Sequence, residues 1–325
     1  MKRSLAVLAV TVCLVLTFGA FSIAKADTLL FPVIAVNQPA VTTIVSVYNL
    51  QGSSSSHLHY IYRRKDSLVS GSPNYTGTCT SQSFTRNTLN GDLVSFDASG
   101  VFNGGNALFN DPNTYDGTFN MSGSGPQRAF LIVTNSNASG TRVNVGDNQA
   151  LGGEAIVMDI ATGAAWGYRA INDVGREDYT FTQAGVGTAI YGYGTDCKWF
   201  PFFPTNEWTT KLFVTPIGSN MDSANITSTI ELWNAFNLGI TTRGGTDINY
   251  VNSQNITCTG VVNIVDMMDA TALAAVQNIG GFTWLCENNF TNPIVVYKLE
   301  YVVNNPTYGG TNNNGLLLSP NSTHW

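Results

Sequence analysis

Apolar and polar residues alternate with a period of two along most of this chain. Runs of four to ten residues rich in Val, Ile, Thr and aromatic side chains recur between clusters of Gly, Ser, Asn and Pro. That pattern predicts β-strands, because branched and aromatic side chains suit a pleated, half-buried surface. The first half carries such runs at 29-LLFPVIAV-36, 43-TIVSVYNL-50, 57-HLHYIYRRK-65, 92-DLVSF-96, 129-AFLIVTN-135, 153-GEAIVMDI-160 and 164-AAWGYRAI-171. The second carries them at 179-YTFTQ-183, 211-KLFVTPI-217, 228-STIELWNAF-236, 259-TGVVNIVD-266 and 294-IVVYKLEYVV-303. The two runs that flank 161-ATG-163 read as a hairpin.

One segment has a helical period instead. In 269-DATALAAVQNIGG-281, Asp269 suits an N-cap, Ala, Leu and Gln favour helix, and Gly280 suits a left-handed stop. The spacing predicts one short helix near 270–279. Many strands with so little helix imply an all-β fold, an antiparallel β-sandwich of immunoglobulin-like or jelly-roll-like kind.

The opening run places Pro32 inside a strongly apolar strand. Proline has no ladder donor, so this strand is expected at a sheet edge or at a kink. Its apolar side chains need cover, either from the chain's own sandwich or by donation to a neighbouring molecule. The short connection 37-NQPAV-41 favours pairing within the chain.

A weak internal echo relates 30-LFPVIAV…TTIVSVYN-49 to 212-LFVTPIG…TSTIELWN-234. It suggests two related halves within 27–304 that meet near 185–210. Residues 305–325 turn Asn- and Gly-rich and read as a polar tail.

Lys2 and Arg3, an apolar run to Ile23 and the small-x-small triplet 24-AKA-26 make residues 1–26 a secretory signal peptide by pattern. The expected location is extracellular or on a cell surface, with no membrane span after cleavage. Charged residues are 11% of the chain and the net charge is −6, against roughly 25% charged in typical soluble proteins. Cleavage removes three basic residues and no acidic ones, so the mature chain is more acidic still. With no basic patch beyond Arg63, Arg64 and Lys65, nucleic acid is a poor partner. Scattered Asn-x-Ser/Thr triplets are compatible with a surface location.

Four cysteines follow the leader: Cys79, Cys197, Cys258 and Cys286. An even count in an exported chain implies disulfides. Cys258 with Cys286 encloses the expected helix and closes a loop worth roughly 3–4 kcal/mol in the chain-entropy model. Cys79 then pairs with Cys197.

Familiar catalytic signatures are missing: there is no G-x-S-x-G, H-E-x-x-H, phosphate loop or dinucleotide fingerprint. His57 and His59 share one strand face, but two ligands do not make a secure metal site. Asp111, Asn113 and Asp116 in 110-NDPNTYDG-117 offer oxygen ligands that suit Ca²⁺, yet such residues are ordinary turn formers too. Asp159 and Glu231 lie inside strands, and nothing in the sequence brings two carboxylates together as a glycosidase needs.

The richest non-catalytic feature is aromatic. Tyr191, Tyr193, Trp199, Phe200, Phe202, Phe203 and Trp208 crowd one segment, which Pro201 and Pro204 make an irregular loop by expectation. Exposed, these rings would stack on sugar faces; buried, they would plug the end of a sandwich. Phe without a polar handle is normally buried, which favours packing.

The reading is a non-enzymatic secreted or cell-surface structural or adhesive protein, partnered by other copies of itself or other surface proteins. The alternative is a carbohydrate-binding module that uses the aromatic segment 191–208. The third is a secreted glycan hydrolase.

Overall fold

A computed structural model describes residues 28–49, 57–65, 78–110, 117–123, 125–141, 151–161, 163–172, 197–216, 227–236, 238–249, 252–288, 294–302 and 317–318. The expected leader, the strand at 179–183, Tyr191, Tyr193 and the Asp111, Asn113 and Asp116 triad lie outside these residues.

The N-terminal half contains β1 (Thr28–Val36), β2 (Val41–Asn49), β3 (His57–Lys65), β4 (Cys79–Asn87), β5 (Asp92–Asp97), β6 (Ala107–Asn110), β7 (Gln127–Ser136), β8 (Leu151–Asp159), β9 (Ala164–Arg169) and β10 (Ile171–Asn172). They form two five-stranded sheets, ordered β10-β1-β7-β3-β4 and β6-β5-β2-β8-β9. The C-terminal half contains β11 (Lys198–Phe202), β12 (Thr209–Pro216), β13 (Thr227–Trp233), β14 (Ile240–Thr242), β15 (Asp247–Ile248), β16 (Gln254–Thr257) and β17 (Gly260–Asn263). A 3-10 turn (Ile264–Met267), helix α1 (Ala270–Val276), β18 (Gly281–Glu287), β19 (Ile294–Tyr301) and β20 (Leu317–Leu318) follow. One C-terminal sheet runs β17-β12-β19-β20; in the other, β18 lies between β11 on one side and β13 and β14 on the other. The pairings are antiparallel, as the alternating pattern demands.

Pro32 does not leave β1 at a bare edge. The strand pairs with β7 along its length and with β10 at Leu29 and Leu30, and its register shifts between Phe31 and Ile34. The proline therefore sits at a bulge, where a missing donor costs nothing. Beside it, the Tyr168 hydroxyl donates to Val33 O at 2.5 Å and lies 3.3 Å from Val33 N. Farther along, Ala35 N donates to Thr43 Oγ1 at 2.9 Å, and that hydroxyl lies 3.0 Å from Ala35 O. Side-chain hydroxyls thus consume the backbone groups that β10 is too short to reach. The apolar side chains of β1 are covered by its own molecule: Leu29, Leu30 and Phe31 are fully buried in the N-terminal core.

That core packs an aromatic box between the two sheets. Tyr60, Phe84, Phe96 and Phe119 stack or meet edge-on with centroids 4.8–6.0 Å apart, which is the favourable geometry for ring quadrupoles. The second core joins Phe200, Phe202, Ile230, Leu232 and Leu285 to Leu212, Val214, Val262 and Val296 of the facing sheet. The helix follows its sequence signals. Asp269 accepts from Ala272 N at 2.7 Å, Ala272 and Val276 face the core, and Gly280 has φ 70°.

The halves are joined by Tyr297 against Tyr168, with centroids 5.2 Å apart, and by Thr215 Oγ1 to Pro32 O at 3.0 Å. β1 pairs with β7 and β10 while β2 pairs with β5 and β8. Likewise β12 pairs with β17 and β19 while β13 pairs with β16 and β18. Val45, Val47 and Asn49 of β2 match Ile230 and Leu232 of β13 and Asn234 just after it in burial as well as in order.

The expected cysteine pairing is corrected. Cys79 bonds Cys258, and Cys197 bonds Cys286. Cys258 follows β16 and Cys286 lies on β18, and β13 runs between those two strands in one sheet, so the two thiols are held apart. Cys79–Cys258 clamps the two halves; Cys197–Cys286 ties β11 to β18. Leu317 and Leu318 add a short strand beside β19.

Candidate functional site

The expected aromatic loop is an edge strand. Lys198–Phe202 pairs residue for residue with Leu285–Gly281 of β18. The prolines had argued against this, but Pro201 needs no donor at an edge, and its carbonyl accepts from Lys298 Nζ at 2.8 Å. Lys298 in turn pairs with Glu300 at 2.7 Å, and Glu300 Oε1 accepts from Phe203 N at 3.0 Å. An ion pair from the facing sheet therefore seals the end of this edge.

Strand alternation divides the aromatic cluster. Phe200 and Phe202 point into the core and are buried. Trp199 and Pro201 point outward and are exposed. Phe203, 52% exposed, leans on Trp208 at the rim, with centroids 4.7 Å apart.

The register then assembles a surface that proximity in sequence conceals. Trp199 lies directly opposite Trp284, and Trp284 lies directly opposite Trp233. Directly opposed residues share a face, so three of the chain's six tryptophans form one row across β11, β18 and β13. At about 4.8 Å per strand the row spans roughly 10 Å. The next row places Pro201 opposite Phe282, and Phe282 opposite Thr241. Trp199 and Phe282 are 37% and 39% exposed, and Trp233 and Trp284 are half-buried.

Polar groups flank the rings. Glu231, 8% exposed, accepts from Trp233 Nε1 at 3.3 Å. Asn255 is exposed, and its Oδ1 accepts from Thr229 Oγ1 at 2.6 Å. Thr241 donates to Asp247 Oδ1 at 2.5 Å. The face is thus a strip of rings with oxygen acceptors on the β13–β16 side. The Cys197–Cys286 disulfide lies on the same face, one row from Trp199 and Trp284. It fixes the edge strand whose side chain ends the row.

Trp233 and Trp284 went unnoticed in the sequence, though a signal existed. Cys197-Lys-Trp199 and Trp284-Leu-Cys286 mirror each other. Once the two cysteines are bonded across antiparallel strands, the tryptophans must face each other.

The other candidates are not brought together. Asp159 lies on β8 of the N-terminal half and caps its own hairpin through Ala161 N at 3.0 Å, whereas Glu231 lies on β13. His59 Nδ1 contacts Thr85 Oγ1 at 3.0 Å. Among the described residues no group of three His, Cys, Asp or Glu side chains is placed to hold a metal. No helix among them is long and apolar enough to cross a membrane. No family model, curated protein or solved structure matches this chain.

Proposed function

We propose that this chain is an exported, non-catalytic adhesive protein that holds glycan on the outer face of its C-terminal half. The row Trp199–Trp284–Trp233 carries the reading. Pyranose rings present flat C–H faces that stack on aromatic side chains, while their hydroxyls need nearby acceptors such as Glu231 and Asn255. A row set by sheet register is rigid, so little ordering cost opposes binding. Export is supported by the leader pattern and by two disulfides, which persist in oxidising compartments. A surface poor in charge suits a neutral ligand.

Binding to a polysaccharide panel, by array and then calorimetry, tests the reading. Trp199→Ala and Trp284→Ala are expected to weaken binding at least about tenfold, as for aromatic anchors in other interfaces, with near-UV dichroism confirming the fold. No binding across the panel, or equal binding by both variants, would refute it.

A second reading rests on a different surface. Phe102 and Phe109 are 49% and 59% exposed, beside Val101 and Leu108, in a stretch from 98 to 110 without a charged residue. Such a patch suits contact with another copy or another surface protein. Phe109→Ser is expected to dissolve any oligomer seen by light scattering, and a monomeric parent chain would discard this reading.

A further inference from the structure

At one end of the N-terminal sandwich a cavity of about 20 Å³ opens between the sheets. That is room for one water-sized or monatomic occupant. Its polar wall is Asn49, Asn87, Thr88, Asp92 and Asn110. Neither Lys, Arg nor His lines it. Every polar side chain on the wall thus offers an oxygen.

Asn49 is the informative residue. It ends β2, is 1% exposed, and donates through Nδ2 to Thr88 Oγ1 at 3.1 Å. Its Oδ1 is buried and accepts from no protein group. A buried acceptor in this condition is costly and asks for a donor or a cation. The other half provides an internal comparison. Asn234 holds the matching position just after β13 and is equally buried. There Nδ2 donates to Asn249 Oδ1 at 3.1 Å and Oδ1 accepts from Phe236 N at 3.1 Å. The same residue at the same strand end is thus satisfied at both ends of its amide in one half and at one end in the other.

The surrounding turn is fixed. Gly91 N donates to Asn49 O at 2.7 Å, and Asp92 Oδ2 accepts from Leu89 N. The Asp92 carboxylate is thereby held on the cavity wall, where it supplies negative charge beside the unpaired amide oxygen.

We propose that this cavity is a calcium site, with Asn49 Oδ1 and the Asp92 carboxylate as its anchoring ligands. Thr88, Asn87 and Asn110 offer further oxygens. Calcium tolerates mixed carboxylate, amide and water ligands in irregular geometry, which magnesium does not. The occupant would join the end of β2 to the β4–β5 turn and to the end of β6.

Calorimetry with CaCl₂ and terbium luminescence on the full, oxidised chain test the site, because Tyr60 lines the cavity and can sensitise terbium. The expected result is one site per chain, bound more weakly by at least about tenfold in Asp92→Asn and in Asn49→Leu, as when metal-supporting residues are removed. Tyr60→Phe should dim the terbium signal. Asp111→Asn combined with Asp116→Asn should leave both readouts intact. Absence of calcium binding by the parent chain overturns the proposal. So does binding that survives Asp92→Asn but is lost in the Asp111/Asp116 variant. If Asn49→Leu fails to fold, Asp92→Asn, which can keep the Leu89 contact, decides alone.

Discussion

Removing one oxygen from Tyr168 should cost this protein several degrees of melting temperature. The hydroxyl is buried, donates to Val33 O at 2.5 Å and lies 3.3 Å from Val33 N. Val33 is itself 3% exposed, at the bulge that Pro32 imposes on β1. Tyr168→Phe keeps the ring, its edge-on contact with Tyr297 and its apolar burial, so the transfer term hardly changes. It leaves a buried N–H and a buried C=O without a partner. At about 1–3 kcal/mol for each orphaned group, the loss is about 2–6 kcal/mol. For a chain of this size that is a fall in Tm of about 3–10 °C. Urea titrations of the oxidised protein should show a lower midpoint with an unchanged slope. Tyr297→Phe is the control. It loses a bond to Arg169 O, at 3.1 Å on a residue exposed to water, and should cost about 1 kcal/mol or less. If Tyr168→Phe melts within a degree of the parent, the hydroxyl does not hold the bulge and the account of how β1 is sealed is wrong.

Two further outcomes follow from the same structure. Burial pushes the Tyr62 and Tyr168 phenols well above their ordinary pKa of 10, so above about pH 10 the unfolded chain loses protons that the folded chain keeps. The phenols' contribution should be full below that pH and fall above it by about 1.4 kcal/mol per pH unit for each phenol. Burial, with Arg128 adding to it, lowers the Lys65 ammonium to about 8. Its penalty is relieved as pH rises from about 8 toward 10.5, so stability should climb through that window before the phenols take over, and Lys65→Met should flatten the climb in pH-dependent melts. Non-reducing peptide maps should give Cys79–Cys258 and Cys197–Cys286. Replacing the second pair by serine should cost up to about 4–5 kcal/mol for its sequence separation of 89 and weaken glycan binding, because β11 loses its tie to β18. A map with Cys258–Cys286 would overturn the topology of the C-terminal half.

Local chemistry was legible wherever one element decided the outcome. The helix followed from Asp269, its alanines and Gly280, because capping and propensity act within a few residues. The hairpin around 161-ATG-163 and most strands followed from the period of two. Among the strands missed by that pattern were β4, whose polar CTSQSFTRN shows no apolar period, and β18, where aromatic, polar and cysteine residues mix. Their strand character comes from long-range pairing with β3 and β13, which no short window contains.

The sequence by itself determined that this is an antiparallel all-β protein with a short helix near 270–279, four bonded cysteines and an aromatic-rich segment. Each of those is a property of composition or of neighbours along the chain. Only the tertiary structure decided which thiols meet, since that depends on the order of strands within the sheets. It also decided which aromatic residues face water, because one residue of register moves a side chain to the opposite face. Trp199, Trp284 and Trp233 are far apart in the chain and adjacent in the sheet. Asn49 and Asn234 look alike in sequence, and only the packing around each distinguishes the unsatisfied amide from the satisfied one.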